Sequence, residues 1–412
     1  MLRHRSRKRD ARRRALNRIE LTNRSPEAYL VVVFELPYGR VPYRLDLADR
    51  DATEVAPAPR SPPRPLPELL DGALAAPIGR PALSSLVSAG DRITVIVSDA
   101  TRDEPRAEFL AALRRHLPAV RWTIAIATGT HGPSPLGPLG LPTFDATVIN
   151  HDGHRADDLV ELGVTRRGTP VRLHRCVLDA DLVIATGCIL PHYFAGFGAG
   201  VKAIFPGLGE AAAIRANHAL KTEPGARAGI VDGNPCREDL EEAVGLVPTP
   251  TFLLDGVCGP DHAVHAAVAG DPLVAFRAGA ELARPWFTVR ARPAPIVIAS
   301  DALPVTATLY QAAKIAAACA PLVEPGGTLV LVAECPDGTG PLAVVNEAVF
   351  RIGVLPRLAP GVSIRLVSSL SPSKVACTLV DHAESVEAVL AERAGRILVI
   401  PRASLLLLES SS

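Results

Sequence analysis

Lys202 closes the run Pro191-His192-Tyr193-Phe194-Ala195-Gly196-Phe197-Gly198-Ala199-Gly200-Val201-Lys202. The chain has 44 basic residues, and only five are lysines: Lys8, Lys202, Lys221, Lys314 and Lys374. A composition that defaults so strongly to arginine, yet places a lysine in a glycine-rich, histidine-bearing segment, keeps that lysine as an amine. An amine forms covalent bonds; a guanidinium in practice does not. Lys8 and Lys374 have no such context and read as surface lysines.

Gly196, Gly198 and Gly200 alternate ahead of Lys202. A dinucleotide fingerprint needs glycine three residues after the second, where Val201 stands. A P-loop needs Gly-Lys-Ser/Thr, and Gly200-Val201-Lys202-Ala203 breaks it. The three glycines still let backbone approach a flat or anionic ligand closely.

Three of the eleven histidines stand near this element or at predicted strand ends. They are His131 in Thr-Gly-Thr-His-Gly, His192 in Leu-Pro-His-Tyr-Phe and His218 in Ala-Asn-His-Ala. Neutral imidazole binds zinc, nickel or copper. Two imidazoles also serve as acid and base on opposite sides of a substrate carbon. His116, His174, His262, His265 and His382 read as hydrogen-bonded structural residues. Arg102, in Ser98-Asp99-Ala100-Thr101-Arg102, can grip a carboxylate or phosphate through two parallel hydrogen bonds. Gln311 and Lys314, three residues apart, share one face of an otherwise apolar helix.

The elements that must position these residues are apolar strands alternating with helices. Arg92–Ser98, Trp122–Ala127, Ala146–Asn150 and Asp181–Thr186 predict buried parallel strands, with a helix at Arg106–Leu117. Asp99, Thr101, Arg102, His131, His151 and His192 fall just beyond the carboxyl ends of these strands, where open α/β sheets bind ligands. Tyr29–Leu36 and Val41–Leu47 predict a strand pair. Near Pro293 a second unit begins, with strands at Ala294–Ser300, Thr328–Cys335, Ser363–Ser368 and Arg396–Ile400 and a helix at Thr306–Ala320. The expected architecture is two α/β domains with largely parallel sheets and an active site in the cleft between them. Its boundaries are 1–25 (a disordered basic extension), 26–290 (the cofactor-binding catalytic domain), 291–401 (a smaller α/β domain) and 402–412 (a tail).

Composition narrows the function. Net charge is +1, so no global field directs the chain to nucleic acid or membrane. The nine basic residues within 1–18 form a local block with no accompanying motif. Seven scattered cysteines include no CxxC pair, which argues against a disulfide framework or a thiolate zinc site. With no 18-residue apolar run, a reducing cytoplasm is the expected location.

The chain resembles the nickel-pincer-nucleotide lactate racemase family over about residues 27–400. The markers are SDATR (98–102), ATGTHGP (127–133), PHYFAGFGAGVKAIFPG (191–207), ANH (216–218), LYQAAK (309–314) and ECPDG (334–338). The resemblance implies a racemase or epimerase of 2-hydroxy acids, acting by proton-coupled hydride transfer to a nickel-pincer nucleotide. That cofactor is a pyridinium-3-thioamide-5-thiocarboxylic acid mononucleotide carrying nickel. It also implies roles. Lys202 would hold the cofactor covalently and His218 would ligate nickel. Asp99, Thr101, Gly196, Gly198 and Gly200 would lie against the cofactor. His131 and His192 would be the acid/base pair, and Arg102, Gln311 and Lys314 would orient the substrate. Cofactor-maturation enzymes are the implied partners, and domain closure would retain the keto intermediate.

From the residues alone, two other readings stand. One is a zinc hydrolase using His131, His192 and His218, which leaves Lys202 without a role. The other is a non-catalytic small-molecule-binding protein.

Overall fold

Arg92–Ser98 reads Arg-Ile-Thr-Val-Ile-Val-Ser, apolar on both faces, and Ile93 through Val97 are buried. A strand of that kind needs cover on both sides. In the computed structural model, which describes residues 33–411, it lies inside a six-stranded sheet. The strand order is Val264–Gly270, Thr251–Cys258, Leu182–Ile189, Arg92–Ser98, Arg121–Ala127, Ala146–Asn150. Every pairing is parallel except that of the edge strand Val264–Gly270, which runs antiparallel to Thr251–Cys258. Ile93 pairs with Trp122 on one side and Leu182 on the other, so all three strands end at the same edge.

Helices cover both faces. Leu70 and Leu74 from helix Leu66–Ala75, and Phe109, Leu110 and Leu113 from helix Arg106–His116, share a core with Ile93, Val95, Ile184 and Phe252. Helix Val274–Phe287 covers the other face, with Gly279 against Ile189, Val257 and Val268. Each such aliphatic side chain removed from water contributes about 1.5–3 kcal/mol, so the low aromatic content does not weaken the core.

The smaller unit has its own six-stranded sheet, parallel throughout. The order is Asp381–His382, Ser363–Val367, Val323–Val332, Ala294–Ser300, Ile397–Ile400, Ala52–Glu54. Helix Leu309–Cys319 packs against its central strands, with Thr308 capping the first turn through the Gln311 amide.

Both sheets are largely parallel, as expected, but two boundaries move. The compact units are 58–287 and, among described residues, 33–57 with 288–411. The hairpin Val33–Leu36/Tyr43–Asp46 therefore leaves the first domain. Its Phe34, Leu36 and Leu45 pack with Ile296, Val330 and Val399 of the smaller unit, and Ala52–Glu54 forms that unit's edge strand. Residues 402–411 of the expected tail are also folded. Leu407–Ser410 pairs in parallel with Thr288–Ala291, Leu406 and Leu408 are buried, and the Ser404 amide donates to Asp301. An apolar run has area to bury, and it finds an edge. The basic extension at 1–25 lies outside the described residues. No helix among the described residues is long and apolar enough to cross a membrane.

Candidate active site

Asp99 follows the strand Arg92–Ser98 and is buried. Its Oδ2 lies 2.6 Å from His131 Nδ1, and its Oδ1 accepts from the Thr101 amide at 3.0 Å and hydroxyl at 2.5 Å. Burial pushes the Asp99 pKa upward, but the hydrogen bonds from His131 and Thr101 outweigh it and hold the carboxyl below its usual value. It is therefore ionised at neutral pH and accepts from His131 Nδ1–H. That fixes the ring's tautomer and leaves Nε2 with a lone pair. The His131 side chain is 51% exposed, so Nε2 is accessible. Arg106, itself buried, fixes this loop by donating to the carbonyls of Ser98, Asp99 and Arg102.

His192 lies in a two-residue ladder, Pro191–His192 against Gly196–Phe197, whose tip carries Tyr193 and Phe194. The Ala195 amide donates to His192 Nδ1 at 3.2 Å. The ring proton of neutral His192 is thus on Nε2, the reverse of His131. Three predicted site residues gather on one ring. His192 lies 4.7 Å from the Phe194 centroid, His218 4.9 Å, and the Lys202 amine 5.9 Å. Burial lowers the His218 pKa to about 4, with the charges of Lys202 and Lys221 adding to the effect. Its imidazole is neutral at physiological pH. Its buried Nδ1 makes no well-formed hydrogen bond, while the Ile214 carbonyl one turn back pulls the pKa the other way.

The loops are joined by backbone. The Gly207 amide donates to the Lys202 carbonyl at 3.0 Å, and the Gly129 amide donates to the Gly207 carbonyl at 2.9 Å. The segment carrying His131 thus lies against the one following Lys202. Gly196 and Gly200 are required by the fold, with φ of +73° and +67°. A side chain there would strike the Ile230 carbonyl or the Phe276 ring. Gly198 donates its amide to Leu190 at 2.7 Å. Thr101 and Arg102 are exposed beside Asp99, and Gln311 and Lys314 are half-buried on Leu309–Cys319 of the other unit. His151 is structural, buried with Nε2 against the Gly209 carbonyl. Among the described residues, no three His, Cys, Asp or Glu side chains gather to hold a metal, so the three-histidine zinc arrangement is not formed.

Sequence reasoning missed the supports beneath the glycine-rich segment. Arg237 is fully buried, stacks 4.1 Å from the Phe276 centroid and donates to the carbonyls of Ala195 and Phe197. Asn234 donates to the Phe194 carbonyl at 2.8 Å. Asp255 accepts from the Gly200 amide at 2.8 Å, two residues from Lys202. The one available signal was a charged residue inside the apolar run Thr-Phe-Leu-Leu-Asp-Gly-Val-Cys, where Asp-Gly also reads as a turn.

Burial raises the Asp255 pKa to about 8, and nearby Glu104 adds to it against the opposing Gly200 amide and Arg237. Between the unfolded value of 3.8 and about 8, the folded chain holds a proton that the unfolded chain has released. Stability therefore falls as pH rises through that window. Asp255→Asn removes this dependence. The variant gains a few kcal/mol over the parent between about pH 5 and pH 8, at ~1.4 kcal/mol per pH unit. Thermal unfolding across that range checks this, and parallel curves for the two proteins would contradict it.

An open, largely parallel sheet with a lysine, three imidazoles and a carboxylate near its strand ends defines an α/β enzyme of the strand-end type. Comparison with known proteins specifies the kind. The lactate racemase N-terminal domain family matches residues 38–229. The lactate racemase of Thermoanaerobacterium thermosaccharolyticum is 30% identical over 321 residues, 74% of this chain and 75% of that protein. That of Lactiplantibacillus plantarum is 30% identical over 286 residues, 66% and 67% of the two chains. The solved lactate racemase apoprotein from T. thermosaccharolyticum has a TM-score of 0.78 at 25% identity, covering 92% of this chain and 100% of that one. A Thermotoga maritima structure, 16% identical with a TM-score of 0.60 over 84% and 97% of the chains, shares the fold alone. The chain belongs to the lactate racemase family and is an isomerase of the racemase type.

Proposed function

We propose that the protein inverts the hydroxyl-bearing carbon of a 2-hydroxy acid with a nickel-pincer nucleotide held through Lys202. The observation that carries this reading is the gathering of His192, Lys202 and His218 around the Phe194 ring. The donor set fits the group. Lys202 offers an amine for the covalent link, and His218 a neutral imidazole with an orphaned buried nitrogen for the metal. Asp99, Thr101 and the backbone of Gly196, Gly198 and Gly200 are assigned to its flanks. A solved relative named as an apoprotein accords with a prosthetic group in that protein. When bound, the group supplies the reversible redox step at the substrate's α-carbon.

The chain's own residues handle protons and position. His131 Nε2, freed by the Asp99 hold on Nδ1, takes the hydroxyl proton. His192, once it carries a second proton as the imidazolium, gives a proton from Nε2 on the other side. Arg102 is assigned to the substrate carboxylate, and Gln311 and Lys314 to its carboxylate and hydroxyl. Inversion needs both rings because the two directions of reaction exchange their roles. All seven cysteines are free, which accords with a cytoplasmic location.

Protein produced together with cofactor-maturation enzymes interconverts the enantiomers of a 2-hydroxy acid, followed by chiral chromatography. His131→Ala and His192→Ala each keep the cofactor and lose turnover by a factor on the order of 10²–10⁴. Full activity in either variant removes that residue from the pair.

A further inference from the structure

The helix Pro235–Gly245 grips two parts of the site at once. Its N-cap Asn234 and its Arg237 hold the backbone carbonyls of Phe194, Ala195 and Phe197. Two residues on from Arg237, Asp239 is fully buried and holds other segments. Its Oδ1 accepts from the Thr165 hydroxyl at 2.5 Å. Its Oδ2 accepts from the Thr169 hydroxyl at 2.7 Å and from Asn217 Nδ2 at 2.8 Å. Thr165 and Thr169 close the turn between strands Leu159–Val164 and Pro170–His174. Asn217 is the neighbour of His218 on helix Ala211–Ala219.

Asn217 is itself fully buried, and its amino group holds it in place. Nδ2 donates to the Cys236 carbonyl at 3.1 Å as well as to Asp239, whereas Oδ1 makes no hydrogen bond among the described residues. A flipped amide would set its oxygen against two acceptors, so its surroundings fix which atom donates. Both bonds end on one helix, and together they set the rotation of Ala211–Ala219 about its own axis. A turn of about 10° would carry a side chain roughly 5–6 Å from that axis by about 1 Å. A misplacement of that size costs about a hundredfold in rate. Apolar residues of similar volume would pack two helices as firmly, but their contacts have no direction and would not set a rotation.

We infer that Asp239 is a positioning residue for the reaction: through Asn217 it sets the rotation of helix Ala211–Ala219, and with it the place of the His218 imidazole, 4.9 Å from the Phe194 ring. The inference rests on the reading that His218 acts in turnover. It also gives the helix Pro235–Gly245 one task. Through Asn234 and Arg237 it fixes the hairpin that carries His192 and Phe194, and through Asp239 it fixes His218.

Two readouts test this. The full-length protein without cofactor, labelled on histidine, is read by NMR, and the matured protein by steady-state kinetics. Phe194→Leu identifies the His218 ring protons by removing the shift that the neighbouring aromatic ring imposes on them. Asp239→Leu and Asn217→Leu displace these resonances and lower kcat by about ten- to a hundredfold with little change in KM. Asp239→Asn is the conservative variant. Its carbonyl still accepts from Asn217 and Thr169, its amino group faces the Thr165 hydroxyl, and both resonances and kcat stay near the parental values. Thr165→Val removes a bond to the same carboxyl group through its other oxygen, Oδ1. It lowers the melting temperature by about 2–4 °C and leaves the resonances and kcat parental, which separates placement from stability. If Asp239→Leu does not fold, Asn217→Leu decides. Parental resonances or parental kcat in Asn217→Leu overturn the proposal, as does an equal loss in Thr165→Val. An unmodified Lys202 peptide in active matured protein would reject the cofactor reading alone, because the resonances are read without cofactor.

Discussion

Asp99→Asn lowers kcat by roughly two to four orders of magnitude while leaving the fold and the cofactor in place. The loss follows from which atoms donate. Asp99 Oδ1 accepts from both the amide and the hydroxyl of Thr101. An asparagine there must turn its carbonyl toward those donors and its NH₂ toward His131. A donor facing Nδ1 moves the ring proton to Nε2, so the nitrogen that takes the substrate's proton loses its lone pair. The loss is read as a fall in kcat with little change in KM. It contrasts with His131→Ala, which removes the ring altogether. An Asp99→Asn enzyme with parental kcat would show that the tautomer does not matter and that His131 is not the base.

Lys202→Arg abolishes activity as completely as Lys202→Ala. Arginine keeps the positive charge but not the nucleophilic amine, so equal loss in the two variants assigns the role to covalent attachment rather than charge. A second readout separates them. The Lys202 charge contributes to the depressed pKa of His218, which is about 4 in the parent. In the cofactor-free protein, Lys202→Ala raises that value toward the ordinary histidine range, whereas Lys202→Arg leaves it low. Histidine titration by NMR reads this directly. An arginine variant with substantial activity would mean that the lysine acts only as a cation.

Much of this site is written locally in the chain. Arg92–Ser98 and Arg121–Ala127 are legible because apolar runs of that length form strands in the interior of a covered sheet, whereas Ala146–Asn150 is a strand at the sheet's exposed edge. Each is followed at once by polar residues, and the structure places Asp99, His131 and His151 at those ends. His192, Lys202 and His218 are legible by residue type and context, and they meet on Phe194. What escaped reading depends on distant partners. Ala52–Glu54 is three residues long, and only its pairing with Ile397–Ile400 makes it a strand. Leu407–Ser410 likewise pairs with a segment more than a hundred residues away. Arg237 is indistinguishable by type from the other arginines. Its burial beneath Ala195 and Phe197 is set by the helix Pro235–Gly245 and by Phe276, far along the chain. The tautomers of His131 and His192 were equally hidden, since one depends on a carboxylate 32 residues away and the other on the hairpin's own amide.

Lys202 anchoring the cofactor is the claim on which the rest depends, and mass spectrometry of the matured, catalytically active protein tests it most directly. The account predicts an added mass equal to the nucleotide group, carried by the peptide containing Lys202 and absent from Lys202→Ala. An active, nickel-containing preparation whose Lys202 peptide has unmodified mass would contradict it.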